Sequence, residues 1–407
     1  MATSISKERK PLSRNKLLGI AGLGWMFDAM DVGILSFVIA ALATSDQFNL
    51  NPEQMGWIGS VNSIGMAVGA FVFGIFADRV GRKKIFIITL VMFSVASGLS
   101  ALTTTLAAFL VLRFFVGMGL GGELPVASTL VSESVEAKER GRIVVLLESF
   151  WAAGWLIAAI ISYFIIPDFG WRWALFITAL PALYAIYLRI NLPDSPQFTA
   201  KRVRDRTFTQ NIKEVWSKAY ARPTLMLWIL WFTVVFSYYG MFLWLPSVMV
   251  MKGFSMITSF KYVLIMTIAQ LPGYFTAAWL IERAGRKFVL VVYLLGTAAS
   301  AYVFGNADST VMLVTSGAFL SFFNLGAWGA LYAYTPEQYP SVIRATGAGM
   351  AAAIGRVGGI LGPLLVGTLV TKGYEIGFIF TIFCIAVVIG VLAVVFLGKE
   401  TKQTVLE

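Results

Sequence analysis

Twelve apolar runs, each near the length a helix needs to cross a bilayer, leave this chain almost no choice of solvent. They fall at about 17–43, 55–77, 84–104, 106–130, 142–166, 171–191, 223–250, 257–281, 288–305, 309–333, 344–370 and 374–397. The hydrocarbon core takes roughly 20 apolar residues of helix. Within it, only helices and closed barrels satisfy their own backbone groups. The chain is 58% hydrophobic and 13% charged, against about 25% charged for an ordinary soluble domain. An all-α membrane protein of twelve transmembrane helices is the expected fold class.

The placement of the basic residues sets the expected topology. With an even number of spans both ends lie on one side. Of the 32 Lys and Arg residues, 26 sit in the tails and loops of that side; Arg172, Lys252, Lys261 and Lys372 are on the other. Lys and Arg collect on the cytoplasmic face, so both termini are expected in the cytoplasm of a multi-pass plasma-membrane protein. The same pattern accounts for the net charge of +11 through topology and anionic headgroups, with no nucleic acid needed. The basic N-terminus before an apolar run has the outline of a signal peptide. That run is long and carries Asp28 and Asp31, so it reads as the first span. One cysteine, Cys384, excludes an intrachain disulfide and a cysteine metal cluster. With no histidine, proton chemistry near neutral pH falls to carboxylates.

The chain also repeats itself. The loop Gly74-Ile-Phe-Ala-Asp78-Arg79-Val-Gly81-Arg82-Lys83-Lys84 returns as Glu282-Arg283-Ala-Gly285-Arg286-Lys287, with Glu282 standing 204 residues after Asp78. Glu133 precedes Arg140 by seven residues, and Glu337 precedes Arg344 by seven, again 204 residues on. Two unrelated features at one offset imply a tandem duplication, the parallel repeat of two six-helix halves. The expected domains are 1–191 and 223–407, joined by a basic cytoplasmic linker at 192–222 with short surface helices around Phe208–Lys218. Gly65/Gly69, Gly117/Gly121 and Gly355/Gly359 are small residues four apart, which let helix backbones approach closely.

Charges inside the spans carry the functional signal, since each costs several kcal/mol unless paired or hydrated. Asp28 and Asp31 lie on one face of the first helix and repel if both ionise, so the pair is expected to hold a proton. Arg113 in the fourth span and Glu148 in the fifth complete the expected proton-coupling set. None of these is duplicated at the 204 offset: the partners are Phe232, Val235, Gly317 and Ala352. Arg356, near the middle of the eleventh span, pairs with Ala152. A guanidinium grips a carboxylate through two parallel hydrogen bonds, so Arg356 is the candidate anion site; a static charge bonded to carbonyls is the alternative. Tyr238 and Tyr239 in the aromatic seventh span are candidates to stack on a flat substrate. Gln270 and Asn324 are polar side chains that need partners, either a substrate or another helix.

These residues together resemble the major facilitator superfamily over essentially the whole chain. Gly74-x-x-x-Asp78-Arg79-x-Gly81-Arg82-Lys83 matches its loop signature after the second helix. The second copy departs at Ala278 and Glu282. Arg113-x3-Gly117-x-Gly119, Glu133-x6-Arg140-Gly141, Trp171-Arg172, Pro193-Asp-Ser-Pro-Gln-Phe198, Glu337-x6-Arg344 and Glu400-Thr-Lys402 are similar to the sugar-porter and organic-ion branch. The resemblance implies that Gly74, Asp78, Arg79, Gly81, Arg82, Glu133 and Arg140, with Glu282, Arg283, Arg286, Glu337 and Arg344, form an inner gate of salt bridges. It also implies a proton-coupling pair of Asp31 and Arg113. Sugar porters carry a Gln-Gln-x-x-Gly-like stretch where Ser237-Tyr238-Tyr239-Gly240 stands here, which counts against a sugar. Arg356 and the stretch Phe27-Asp28-Ala-Met-Asp31 resemble the bacterial niacin (nicotinate) transporters.

The resulting expectation is a monomeric secondary transporter, not an enzyme. It takes up a small organic carboxylate such as nicotinate by alternating access, with the proton as coupling ion and no other cofactor or metal. Two rivals stand beside it. A proton-driven exporter of organic cations or drugs would use Asp28, Asp31 and Glu148, with Arg356 against it. A transporter-like membrane sensor would be expected to add a long cytoplasmic domain, and tails of about 16 and 10 residues hold none.

Overall fold

The computed structural model describes residues 14–45, 47–80, 82–133, 140–184, 187, 208–340 and 342–402. Fifteen helices are delimited among them, and no strand. The first half holds α1 (Arg14–Ala43), α2 (Pro52–Val80), α3 (Arg82–Ser100), α4 (Leu106–Glu133), α5 (Arg140–Phe169) and α6 (Trp171–Ile177). A surface helix, α7 (Phe208–Val215), precedes the second half. That half runs through α8 (Ala221–Phe242), α9 (Leu245–Met251), α10 (Met256–Ile268), α11 (Gln270–Ala284), α12 (Arg286–Gly305), α13 (Thr310–Glu337), α14 (Arg344–Thr371) and α15 (Ile376–Leu397). Among the described residues nine helices are long and apolar enough to span a membrane, with shorter apolar helices at Lys84–Ser100 and Leu106–Gly122.

Two spans that look continuous in sequence are interrupted. The seventh run breaks at Leu243 and Trp244, because Pro246 has no amide to donate and restarts the helix in its own first turn. The eighth breaks at Ala269, three residues before Pro272. Such discontinuities in transporters cluster where substrate binds.

The duplication is visible in the packing. In the first half α1 lies along α5 and α2 along α4; in the second, α8 lies along α14 and α11 along α13. A Cβ on Gly69 would strike the carbonyl of Met118, and one on Gly273 the carbonyl of Phe322; both members of the second contact stand 204 residues after the first. Gly65 meets Phe114, while Gly117 and Gly121 meet the carbonyls of Asn62 and Met66. The α2–α4 pair therefore interlocks from both sides inside the first half. Gly355 and Gly359 rest on Trp231, Val235 and Tyr239 of α8. These contacts lie within each half, and Gly359 also lies against the Ser63 hydroxyl of α2 across the halves.

Between the halves, α2 faces α14 and α5 faces α10, α11 and α13. Near the start of α2 and the end of α14 the Ser60 hydroxyl donates to the Ile360 carbonyl at 2.6 Å. There Gly56 sits against the Pro363 carbonyl. At the same end Phe37 and Phe260 meet edge to face at 4.9 Å. Backbone atoms cannot rotate away from an added methyl. Gly69→Val and Gly273→Val are each expected to destabilise by roughly 1–3 kcal/mol, while Gly349→Ala, with open space around its Cα, stays within about 0.5 kcal/mol. Heating each variant in detergent and measuring the fraction that remains monodisperse checks this.

Candidate functional site

Helix α1 brings Trp25, Asp28 and Asp31 to the interior at intervals of three residues. Asp31 and Arg113 are both fully buried, and Arg113 Nη1 lies 3.3 Å from Asp31 Oδ2. Ser97 of α3 donates to Asp31 Oδ1 and accepts from Arg113 Nη2 at 2.8 Å. Ser100, one turn on, accepts from Nη2 at 3.1 Å. Thr178 touches Ser97 at 2.5 Å, and the Phe109 ring lies 5.5 Å from the guanidinium carbon. A buried ion pair is sound only if both members stay compensated. Here the arginine has hydroxyl and ring partners in addition to the carboxylate.

Glu148 lies elsewhere. On α5, Glu148, Trp151 and Trp155 fall on one face, and all three are buried. Trp25 Nε1 donates to Glu148 Oε2 at 3.2 Å. Trp25 and Trp151 rings are 5.2 Å apart, and Trp151 stacks on Trp328 of α13 at 6.5 Å. Trp328 packs on Tyr332, one turn further, at 5.8 Å, and on Tyr238 at 4.7 Å. Trp151 Nε1 donates to the Tyr238 hydroxyl at 2.7 Å. Both halves thus build one aromatic box around a single carboxylate.

Arg356 of α14 is half-buried, and its Nη1 points at Met66 Sδ at 3.6 Å. The Tyr239 hydroxyl reaches the same sulfur at 3.8 Å. Tyr239 lies in the field of both Arg356 and Asp28. Tyr332 lies in the field of both Glu148 and Arg356. On α11, Gln270 and Tyr274 are one turn apart, and Tyr274 lies in the field of Glu148. Both side-chain polar atoms of Gln270, both of Asn324 and the Tyr274 hydroxyl make no hydrogen bond among the described residues, although all three side chains are buried. Buried polar atoms almost always find a partner. Three such groups near one box of rings are what a polar ligand would satisfy.

The inner-gate residues divide. Gly81 lies outside the described residues, as do the side chains of Asp78, Arg79, Arg82, Glu133 and Arg140 and the surroundings of Gly74. In the second half Arg286 bonds Glu282 at 2.9 Å and Glu337 at 3.0 Å. Thr401 donates to Glu337 at 2.6 Å. Glu400 accepts from the Arg286 and Lys287 amides at 2.9 and 3.1 Å, capping the positive end of α12. Gly285 makes this possible: its φ of 98° suits glycine, and a Cβ there would occupy the space of the Glu400 carboxylate. Arg283 lies over the Trp279 ring at 4.2 Å, and Arg344 Nε donates to the Pro336 carbonyl at 3.1 Å.

Sequence reasoning missed Trp25, Met66, Trp151, Trp155, Tyr274, Trp328 and Tyr332. A signal was present: Glu148, Trp151 and Trp155 share a helical face, as do Asn324, Trp328 and Tyr332. In spans apolar on every side, that spacing does not separate a site from a lipid face.

Long apolar helices, a duplicated scaffold and a buried charged site between the halves define a membrane transporter rather than an enzyme. Residues 21–271 and 262–406 match the Major Facilitator Superfamily, and the chain belongs to that family. It is 67% identical over 98% of its length to all of a Bacillus subtilis (strain 168) protein provisionally named niacin/nicotinamide transporter NiaP. It is 46% identical over 96% of its length to 95% of the niacin transporter NiaP of Acinetobacter baylyi. Its fold is similar to that of the xylose transporter XylE from E. coli, with TM-score 0.79, 19% identity and coverage of 97% and 99% of the two chains.

Arg286→Gln removes the cation that, among the described residues, bonds both Glu282 and Glu337. It is expected to cost on the order of 1–3 kcal/mol, read as a lower melting temperature in detergent that Glu337→Gln in the same background partly restores.

Proposed function

We propose that this protein carries a small aromatic carboxylate, nicotinate or a close relative, into the cell together with a proton, by alternating access in the plasma membrane. Arg356 carries the reading: a cation in mid-span that shares the Met66 sulfur with Tyr239, on the rim of an aromatic box. The niacin transporters among its relatives support the same cargo. The carboxylate meets the Arg356 fork, and the ring lies among the aromatic side chains. Gln270, Asn324 and the Tyr274 hydroxyl supply the remaining hydrogen bonds.

Coupling follows from the Asp31–Arg113 pair. With the proton on Asp31, Arg113 falls back on Ser97, Ser100 and Phe109, and α1 and α4 are freed from their charge constraint. Substrate and proton together leave the cavity close to neutral, which lowers the cost of closing it away from water. Only a loaded state favoured in this way shifts the equilibrium between the two facings. With both termini inside, the Ser60–Ile360, Gly56–Pro363 and Phe37–Phe260 contacts lie at the outer end. The inner end is then governed by the Arg286 network, and a single chain contains the whole route.

A second reading, a proton-driven exporter of organic cations, is favoured by Glu148 in its ring box, an environment suited to a cation. Arg356 on the rim of that box opposes it.

Uptake of labelled nicotinate into cells making this protein, against empty vector, is expected to saturate and to be stronger at acidic outside pH. Arg356→Ala should reduce uptake at least about tenfold, as expected for a lost charged hydrogen-bond pair. No uptake at either pH, with the protein shown in the membrane, removes the carboxylate reading. Resistance to lipophilic cations under the same conditions would favour the exporter.

A further inference from the structure

Glu148 is a buried charge that proton coupling through Asp31 and Arg113 does not use. Asp31 and Arg113 compensate each other at 3.3 Å. Glu148 instead has an indole: Trp25 Nε1 donates to one oxygen at 3.2 Å, and no cation is paired with it among the described residues. Around it the rings are contributed by α1, α5 and α13, so the carboxylate sits where the two halves meet rather than inside one. An isolated carboxylate in apolar surroundings is costly unless a proton or a cationic group joins it. A purely structural role asks for neither an acid nor a box of rings. A leucine would fill the same space at lower cost.

The box has a second pole. A chain of ring contacts runs from Trp25, on Glu148, to Tyr239, which shares the Met66 sulfur with Arg356: Trp25 meets Tyr332 at 6.4 Å, Tyr332 meets Trp328 at 5.8 Å, Trp328 meets Tyr238 at 4.7 Å and Tyr238 meets Tyr239 at 5.2 Å. A flat molecule admitted among these rings would meet a guanidinium at one end of the chain of contacts and a carboxyl group at the other. The complementary ligand has an acidic group and a basic nitrogen on one aromatic ring.

We infer that Glu148 reads the ring nitrogen of the substrate, so that the site selects an aromatic acid carrying a basic nitrogen over the same acid without one. The inference rests on the carboxylate reading above, with Arg356 holding the acidic group. One proton lies between the Glu148 oxygen and the ring nitrogen. Whether written as acid and free nitrogen or as carboxylate and ring cation, the contact contains the same atoms and charge. A benzoate offers Glu148 only a C–H edge and leaves it uncompensated. An uncharged amide of the same ring keeps the nitrogen but gives up the Arg356 fork. Glu148 is thus a specificity residue, with Arg356 setting affinity for acids in general.

The test is ligand binding to purified full-length protein, read by quenching of the tryptophans in the box, with nicotinate and benzoate as the two probes. The wild type is expected to bind nicotinate at least about tenfold more tightly than benzoate, the range of one hydrogen bond to a charged group. Glu148→Leu should bring the two within about threefold by weakening nicotinate alone. Arg356→Ala should weaken both alike. Equal loss of both ligands in Glu148→Leu, or no preference in the wild type, overturns the inference and leaves the carboxylate reading standing. If neither probe binds the wild type, the carboxylate reading fails and takes the inference with it. A second measurement needs no variant. The nitrogen-15 resonance of labelled nicotinate should move toward the pyridinium position on binding the wild type at neutral pH. A bound resonance that moves the opposite way, to the position of a ring nitrogen without a hydrogen bond, overturns the inference.

Discussion

A charge buried in a membrane protein has to be answered by another group, and the structure is arranged around how each one is answered. Asp31 and Arg113 answer each other at full burial, with Ser97 touching both and Ser100, Thr178 and Phe109 closing the shell. Four helices, α1, α3, α4 and the end of α6, contribute to this one cluster, so its charge state bears on how the whole first half packs. Such a pair adds little net stability, because desolvation offsets most of the attraction. In the proposed mechanism it is a two-state element: ionised it ties α1 to α4, and neutralised it leaves each group a local partner.

The duplication supplies the scaffold, and departures from it supply the chemistry. The Gly69–Met118 and Gly273–Phe322 contacts occupy equivalent places in the two halves, because close backbone approach is a demand of the fold and is met twice. The charges inside the spans are met once each. Asp28, Asp31, Arg113 and Glu148 belong to the first half, and Arg356 to the second. In the proposed function that asymmetry is a division of labour: the first half handles the proton and the ring nitrogen, the second grips the carboxylate.

Much of this was legible in the chain itself. Hydropathy located the spans, since a bilayer imposes length and composition on each helix separately, and observed boundaries such as Arg286–Gly305 and Ile376–Leu397 fall within two residues of the expected runs. The breaks at Leu243–Trp244 and Ala269 were not legible as breaks. Pro246 and Pro272 marked them, but spanning helices often tolerate proline when neighbours satisfy the freed carbonyls. At the site, Asp31 with Arg113 was readable from charge placement and family likeness, and Glu282, Arg286 and Glu337 from their motif. Gln270 and Asn324 stood out as polar residues in apolar helices. Trp151, Trp328 and Tyr332 did not, because a tryptophan in a spanning helix has the same local signature facing lipid, core or ligand. Only the meeting of α5 with α13 distinguishes them, and that is a tertiary fact. Glu148 was visible as a charge, but grouping it with Asp31 depended on composition; the fold places it in a different cluster.

The central claim is that protonation of the Asp31–Arg113 pair links substrate movement to the proton gradient. The measurement that reaches it most directly uses proteoliposomes holding the wild type or Asp31→Asn, with an imposed pH gradient in one arm and internal unlabelled substrate in the other. The wild type should concentrate labelled nicotinate above equilibrium in the first arm and exchange it in the second. Asp31→Asn, fixed in the neutral form, should lose the concentrating step and retain exchange. Accumulation by Asp31→Asn equal to the wild type would contradict the account.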